Sequence, residues 1–310
     1  VGGMVATELA THKLIANMSP QDYISVILPT RQRIEPCIKS VMTMVETAQD
    51  PGKIEFVLIW DDDDIKTAEA TMNKLSPKLK DAGVNRFSAH TLKRLGYERL
   101  NEYVTWGGKQ SVGQWIVFWN DDAVMKTFNW DTEIRKWDGK FRILRMKEQT
   151  EHPYSIFPVV PRDWLTVLGH LSYHPSSDAH ISQIAYMLDI MENIDVTTVH
   201  ERYDITGDNN DEVFKTRPKL EGNPANPKDL NSVQTIQMRY EECSRLYRYM
   251  RATGQAETGW NNKWFVEVVQ GQQDPWEKLK QNDPNKLTTQ GEKYTKPKLQ
   301  LDNGQNQTTN

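Results

Sequence analysis

Cysteine is scarce in this chain. Cys37 and Cys243 are the two present, and they lie too far apart in sequence to form a redox or metal-binding motif. A disulfide scaffold is therefore excluded as the source of stability, and a reducing, cytoplasmic setting is expected. Long apolar runs are also missing. No stretch is long enough to span a bilayer, and the first residues lack the apolar core of a secretion signal. Excess positive charge is absent too: the formal net charge is -4, so no broad attraction to nucleic acid is expected. Glycine is missing from residues 29–36, which follow the first apolar run; that argues against a glycine-rich phosphate loop there. No internal repeat is found.

What is present alternates in a regular way. Residues 23–28 (YISVIL), 54–60 (IEFVLIW) and 115–119 (WIVFW) are short apolar runs of strand length, rich in β-branched and aromatic residues. A further strand is expected over 87–92, with later ones over 142–146, 157–160 and 195–200. Between them, apolar residues recur at helical spacing, as Ile38, Val41, Met42 and Val45 do within 34–47. Helices are likewise predicted over 65–79, 97–106, 178–191 and 230–251. Strands that alternate with helices predict an α/β fold with a mostly parallel sheet flanked by helices, its ligands at the carboxyl ends of the strands.

Four regions are read from this pattern. Residues 1–22 are a short N-terminal extension and 23–215 the α/β domain, for which the resemblance described below implies nucleotide-sugar binding and catalysis. Residues 216–282 form a mostly helical C-terminal extension, with Trp260, Trp264, Phe265 and Trp276 as packing anchors. Residues 283–310 are polar, poor in large apolar side chains and expected to be disordered. Gly207 to Asp211 reads as a loop, and the proline- and asparagine-rich stretch 217–229 as a connector.

Polar residues cluster where the strands end. Asn120-Asp121-Asp122 follows the third apolar run directly. Carboxylates at such a sheet edge suit Mg²⁺ or Mn²⁺, hard ions that take oxygen ligands; the plain alternative is a polar turn. Asp61 to Asp64 follow the second run. Four neighbouring acids repel one another and are poor core material; they offer acceptors to a ligand or acids to a helix N-terminus, and Asp63 and Asp64 fit the latter. Asp178 precedes or opens a helix, as an N-cap or a general base. His200 ends the last strand run, where a metal role would need partners from elsewhere in the chain.

The order of these features resembles that of GT-A fold glycosyltransferases, family 2 in particular. Ser25-Val26-Ile27-Leu28-Pro29-Thr30 is similar to the family's opening strand, and Phe56 to Asp62 to its second strand with a terminal acid pair. Gly96 to Asn101 resembles the family's G-x-x-x-A-R-N segment, and Val117 to Asp122 the strand that carries its D-x-D motif. Ser177-Asp178 resembles its x-E-D motif, and His200 falls at its late metal-binding histidine. The likeness spans roughly residues 23–205. It departs at Asn120, which replaces the first D-x-D acid, at Ser177, which replaces a glutamate, and at Arg31-Gln32-Arg33, which replaces Tyr-Asn-Arg.

What the resemblance implies is a metal-dependent transfer of a sugar from a nucleoside-diphosphate sugar to a hydroxyl acceptor. Pro29, Thr30 and Arg31 would line the donor pocket, Asp61 or Asp62 would contact base or ribose, and Arg99 would help hold the nucleotide or its diphosphate. Asn120 and Asp121 complete the donor-binding set. Asp122 and His200 would hold Mn²⁺ or Mg²⁺, and Asp178 would deprotonate the acceptor in an inverting displacement. Two alternatives stay open: a weakened or inactive binding module of the same fold, and a related nucleotidyltransferase.

Overall fold

The three central apolar runs pair as strands because both faces of each are covered. In the run 24–29, Ile24, Val26 and Leu28 point into one core and Ile27 into another, as the two-residue period of a strand requires. The computed structural model describes residues 6–8, 13–14, 22–149, 154–201 and 228–256. In chain order the elements are β1 (Ala6–Glu8), β2 (Ile24–Pro29), α1 (Ile34–Thr47), β3 (Ile54–Asp61), α2 (Ile65–Asp81), β4 (Arg86–Leu92), α3 (Leu100–Gln110), β5 (Trp115–Phe118), β6 (Ala123–Met125), α4 (Trp130–Arg135), β7 (Ile143–Glu148), β8 (Val159–Pro161), α5 (Arg162–Leu168), α6 (Ser177–Met187), β9 (Met191–His200) and α7 (Val233–Ala252). The strands form one sheet of nine among the described residues, in the order β1-β4-β3-β2-β5-β8-β7-β9-β6. Strands β2, β3, β4, β5, β7 and β9 run one way; β1, β6 and β8 run the other. This is the α/β, mostly parallel, Rossmann-like class expected.

The sheet separates two cores. On one face α1, α2 and α4 bury Val41, Met44, Met72, Leu75 and Trp130 against Val26, Phe56 and Trp60. On the other, α3, α5, α6 and α7 cover Ile27, Val57 and Ile59. Helix α3 approaches closely because residue 107 is glycine: a Cβ there would stand 2.6 Å from Cγ2 of Ile27 and 2.9 Å from Cδ1 of Ile59.

Several expectations shift at their edges. The helix expected over 178–191 ends at Met187, and the final strand begins at Met191 rather than 195. The chain turns through Asp189, whose φ of 56° breaks the helix, and Ile190 N–H donates back to the Ala185 carbonyl at 2.9 Å. Within the segment read as an N-terminal extension, Ala6–Glu8 pairs antiparallel with β4 as an edge strand. Strand β6 and helices α4 and α5 had no counterpart in the sequence reading; each is shorter than the periodicity needs to show itself. The loop at 207–211, all but the end of the connector 217–229, the late aromatic set (Trp260, Trp264, Phe265, Trp276) and the polar tail lie outside the described residues.

Helix α7 starts at Ser232, whose hydroxyl accepts from Thr235 N–H. It docks through Tyr240, Cys243, Leu246 and Met250 and through a buried polar cluster. Glu242 meets His170 with one carboxylate oxygen and accepts from Nε2 of His180 with the other, at 2.6 Å. Nearby, His174 donates from Nε2 to the Lys228 carbonyl at 2.9 Å and accepts at Nδ1 from Ser176 N–H at 3.0 Å. That pattern requires a neutral ring, and burial lowers the pKa of His174 to about 4. Burial also lowers that of His180. Glu242 is held down at about 2: burial opposes its charge, but His180 and His170 outweigh it.

These shifts share one sign. A group depressed in the folded state stabilises it above its unfolded pKa, and that stability is lost as pH falls through the folded value. Melting temperature is therefore expected to drop between pH 6.5 and 4 as His174 is forced to charge, a contribution of up to about 3 kcal/mol, and to fall further toward pH 2 through Glu242. Thermal unfolding monitored by circular dichroism across pH 7.5 to 4 tests this; a flat profile between 6.5 and 4 contradicts it.

Candidate functional site

The strand order defines where a ligand belongs. From β2 the chain winds outward through β3 and β4, then returns to the opposite side of β2 as β5. The crevice at the carboxyl ends of β2 and β5 is thus a topological switch point, where the two following connections diverge. Thr30 leaves β2 there, and Asn120-Asp121-Asp122 leaves β5 there.

The two ends are tied together. The hydroxyl of Thr30 donates to Oδ2 of Asp121 at 2.5 Å, and Nη1 of Arg33 donates to its Oδ1 at 2.6 Å. Asp121 is buried, and both its oxygens are engaged. Burial raises its pKa; Asp122 adds to that, while Arg33 opposes it. Arg33 also reaches Oδ2 of Asp122, at 3.4 Å. Burial works against the charge of Arg33, yet the two carboxylates hold its pKa above the ordinary value. Of the expected donor contacts, Thr30 and Asp121 therefore first satisfy each other. Pro29 closes β2 opposite Ile59. The carbonyl of Asn120 accepts from the Ser40 hydroxyl at 2.6 Å, which anchors the turn to α1, and its side-chain amide reaches Nε2 of His200 at 3.5 Å.

Strand β6 brings Asp122 to His200. It pairs antiparallel with β9, Ala123 opposite His200, and Glu201 N–H donates to the Asp122 carbonyl at 2.7 Å. The ring of His200 packs against Phe157, centroids 5.3 Å apart. Its Nε2 stands 2.9 Å from Oδ1 of Asp122, an ion-pair distance. Oδ1 is a buried oxygen that faces His200. Burial pushes the Asp122 carboxyl up, but His200 and Arg33 outweigh it and hold the pKa below the ordinary value.

No three histidine, cysteine or acidic side chains form a metal cage among the described residues. Two do face each other suitably. Adjacent ligands of an octahedral ion with bonds of about 2.1 Å stand about 3 Å apart, which matches the 2.9 Å between Oδ1 of Asp122 and Nε2 of His200. An ion that draws the rest of its shell from phosphate oxygens and water fits such a pair.

The acids after β3 have divided roles. Asp61 is saturated: Tyr103 donates its hydroxyl to Oδ1, and Nη1 of Arg31 donates to Oδ2 at 3.0 Å. Burial and then Asp61 raise the Tyr103 pKa, so the phenol stays a donor. Asp62 is exposed and accepts Arg94 N–H at Oδ1, 3.1 Å. Asp63 pairs with Arg31 and Arg94. Asp64 accepts Gln32 N–H at 2.8 Å. The four acids thus hold the β2 and β4 loops together.

Asp178 is the second residue of α6. A helix that feeds an upward strand begins at the carboxyl edge, so Asp178 lies on the same edge as Asp122 and His200. The start of α6 is steadied there by Asn101, whose amide donates to the Ser172 and Tyr173 carbonyls at 3.3 and 3.1 Å. The N-cap is Ser176, not Asp178. Asp178 is half-buried and has no hydrogen bond or ion pair among the described residues. Arg99 is turned outward and paired with Glu102 on the surface of α3. The sequence reading gave no role to Arg33, Tyr103, Arg94 or Ser40. Their partners are remote in sequence, so no local pattern marks them.

No protein-family model matches the chain, and neither does any curated protein. Solved structures of GT-A fold are similar to it. The mannosyltransferase PcManGT from Pyrobaculum calidifontis, in complex with GDP-Man and Mn²⁺, is 13% identical with a TM-score of 0.45, covering 90% of this chain and 87% of that one. TarS 1-349 from S. aureus, in complex with UDP-GlcNAc, is 14% identical with a TM-score of 0.45, covering 80% and 81%. Among the described residues no helix is long and apolar enough to cross a membrane.

Proposed function

We propose that the chain is a glycosyltransferase that moves a sugar from a nucleoside-diphosphate sugar to a hydroxyl acceptor, with inversion. The observation that carries this reading is the Thr30–Asp121–Arg33–Asp122–His200 assembly at the switch point. It sets carboxylates, a guanidinium and an imidazole where a diphosphate would lie.

The residues divide the work. Asp121 fixes Thr30 and Arg33, and so shapes the donor pocket between Pro29 and Asn120. Asp62 keeps one oxygen free among the described residues and can accept from a ribose hydroxyl, whereas Asp61 holds Tyr103 and Arg31 in place. Asp122 and His200 would hold a divalent cation. Such an ion neutralises charge on the departing diphosphate. Arg33, and Arg31 at the rim, supply positive charge to the same region. Asp178, unpaired at the carboxyl edge, takes the acceptor proton as the hydroxyl oxygen attacks the anomeric carbon; the donor's diphosphate leaves with the bonding pair.

A panel of nucleoside-diphosphate sugars, UDP-GlcNAc and GDP-mannose included, assayed by thermal shift with and without Mn²⁺ tests the reading. Donor and metal together should raise the melting temperature beyond either alone; at a hundredfold excess over Kd the stabilisation is about 2.7 kcal/mol. No shift with any nucleotide would favour the non-catalytic module. That second reading draws support from Arg33 and Arg31, which already neutralise the acids internally.

A further inference from the structure

The polar cluster under α7 is outside the donor site and joins three segments of the chain. Glu242 comes from α7, His180 from α6, and His170 from the loop that follows α5. Glu242 and His180 are buried, and His170 is one-quarter exposed. Each carboxylate oxygen meets one imidazole Nε2, so a single side chain joins three elements. Burying a charge this way rarely favours stability over an apolar contact of equal volume. What it does supply is geometry: a directional contact from Nε2 of His180 to Glu242, a carboxylate itself held by His170, ties His180 to α7 where apolar packing would allow it to slide.

His180 is two residues beyond Asp178, in the first turns of α6. Packing surrounds this part of the helix, since Ala179, His180, Ile181 and Ser182 are all buried. The α6 start is also held by the Asn101 contact to the loop before it, by His174, whose Nδ1 accepts from Ser176 N–H and whose carbonyl accepts from the Ser177 hydroxyl, and by the Ser182 hydroxyl, which accepts from Ser155 N–H. We infer that Glu242 is a positioning residue: acting through His180 and His170, it makes the C-terminal helix part of the apparatus that aims Asp178. The link to turnover rests on the role proposed above for Asp178; the mechanical link between α7 and the start of α6 does not.

Two measurements separate these links. Hydrogen–deuterium exchange on the full chain needs no ligand. In Glu242→Gln one of the two imidazoles loses its carboxylate acceptor, and amide exchange in residues 177–183 should quicken by roughly tenfold or more, with 24–30 and 115–125 unchanged. Unchanged exchange, or a rise spread evenly over the chain, would overturn the inference. If Glu242→Gln fails to fold, Glu242→Asp, which keeps the charge but is one methylene too short to reach His180, gives the same readout. The second measurement is a double-mutant cycle on the release of nucleoside diphosphate from the donor that the thermal-shift panel identifies. Glu242→Gln should lower kcat roughly ten- to a hundredfold with donor KM unchanged, and should add nothing in an Asp178→Asn background. A rise in KM, or additive losses, would refute positioning through Asp178. Undiminished turnover in Asp178→Asn alone would instead remove the base assignment and leave the exchange result standing.

Discussion

Replacement of Asp122 by alanine is expected to reduce turnover by roughly a thousandfold or more and to abolish any enhancement of nucleotide binding by Mn²⁺. The carboxylate is the acid of the switch-point turn that faces a second side chain able to hold a cation: Oδ1 is buried and stands 2.9 Å from Nε2 of His200. Its neighbour Asp121 has no such oxygen, since Thr30 and Arg33 occupy both. Removing Asp122 leaves that structural pair intact, so the fold should survive and the loss should appear in chemistry and metal affinity. Asp122→Asn separates charge from shape: it keeps the volume and should still lose metal-enhanced binding. Calorimetric titration of Mn²⁺ with a nucleoside diphosphate, alongside initial rates, measures both effects. Wild-type rates in Asp122→Ala would eliminate the metal assignment.

Asp178→Asn is expected to lower kcat by roughly a hundred- to ten-thousandfold while donor KM stays within a factor of about two, the signature of an interaction made in the transition state. Asparagine preserves the shape and the helix start but cannot take the acceptor proton. The prediction has force because Asp178 has no structural task to lose: Ser176 is the N-cap, and no described residue pairs with the carboxylate. Stability should accordingly change little. Steady-state rates at several donor concentrations, together with a thermal melt, test both halves. A fall in stability that matches the fall in rate would assign Asp178 to the fold.

The alternation of strand and helix was readable because each central strand is buried on both faces and helices such as α1 and α2 on one. The runs at 24–29, 54–61 and 115–118 and the helix over 34–47 emerged close to their expected bounds. Short elements were not readable. Three residues in β6 carry no period, yet their pairing with β9 sets the Asp122–His200 distance. Asp61 shows a different limit. Its place at a strand end marked it as a ligand contact, but only the fold reveals that Tyr103 and Arg31 take both its oxygens.

The sequence by itself determined the class of fold and the strand ends beyond which Thr30, Asp61, Asp121 and Asp122 emerge. These follow from local pattern: apolar runs must be buried, and the polar residues just beyond them emerge at the sheet edge. Only the tertiary structure decided the division of labour among them. Whether a carboxylate is spent on a neighbour or left over depends on which groups remote in sequence arrive beside it. Arg33 and Thr30 reach Asp121, His200 comes to Asp122, and nothing described pairs with Asp178. These outcomes are set by strand register and helix packing, which no local spacing records.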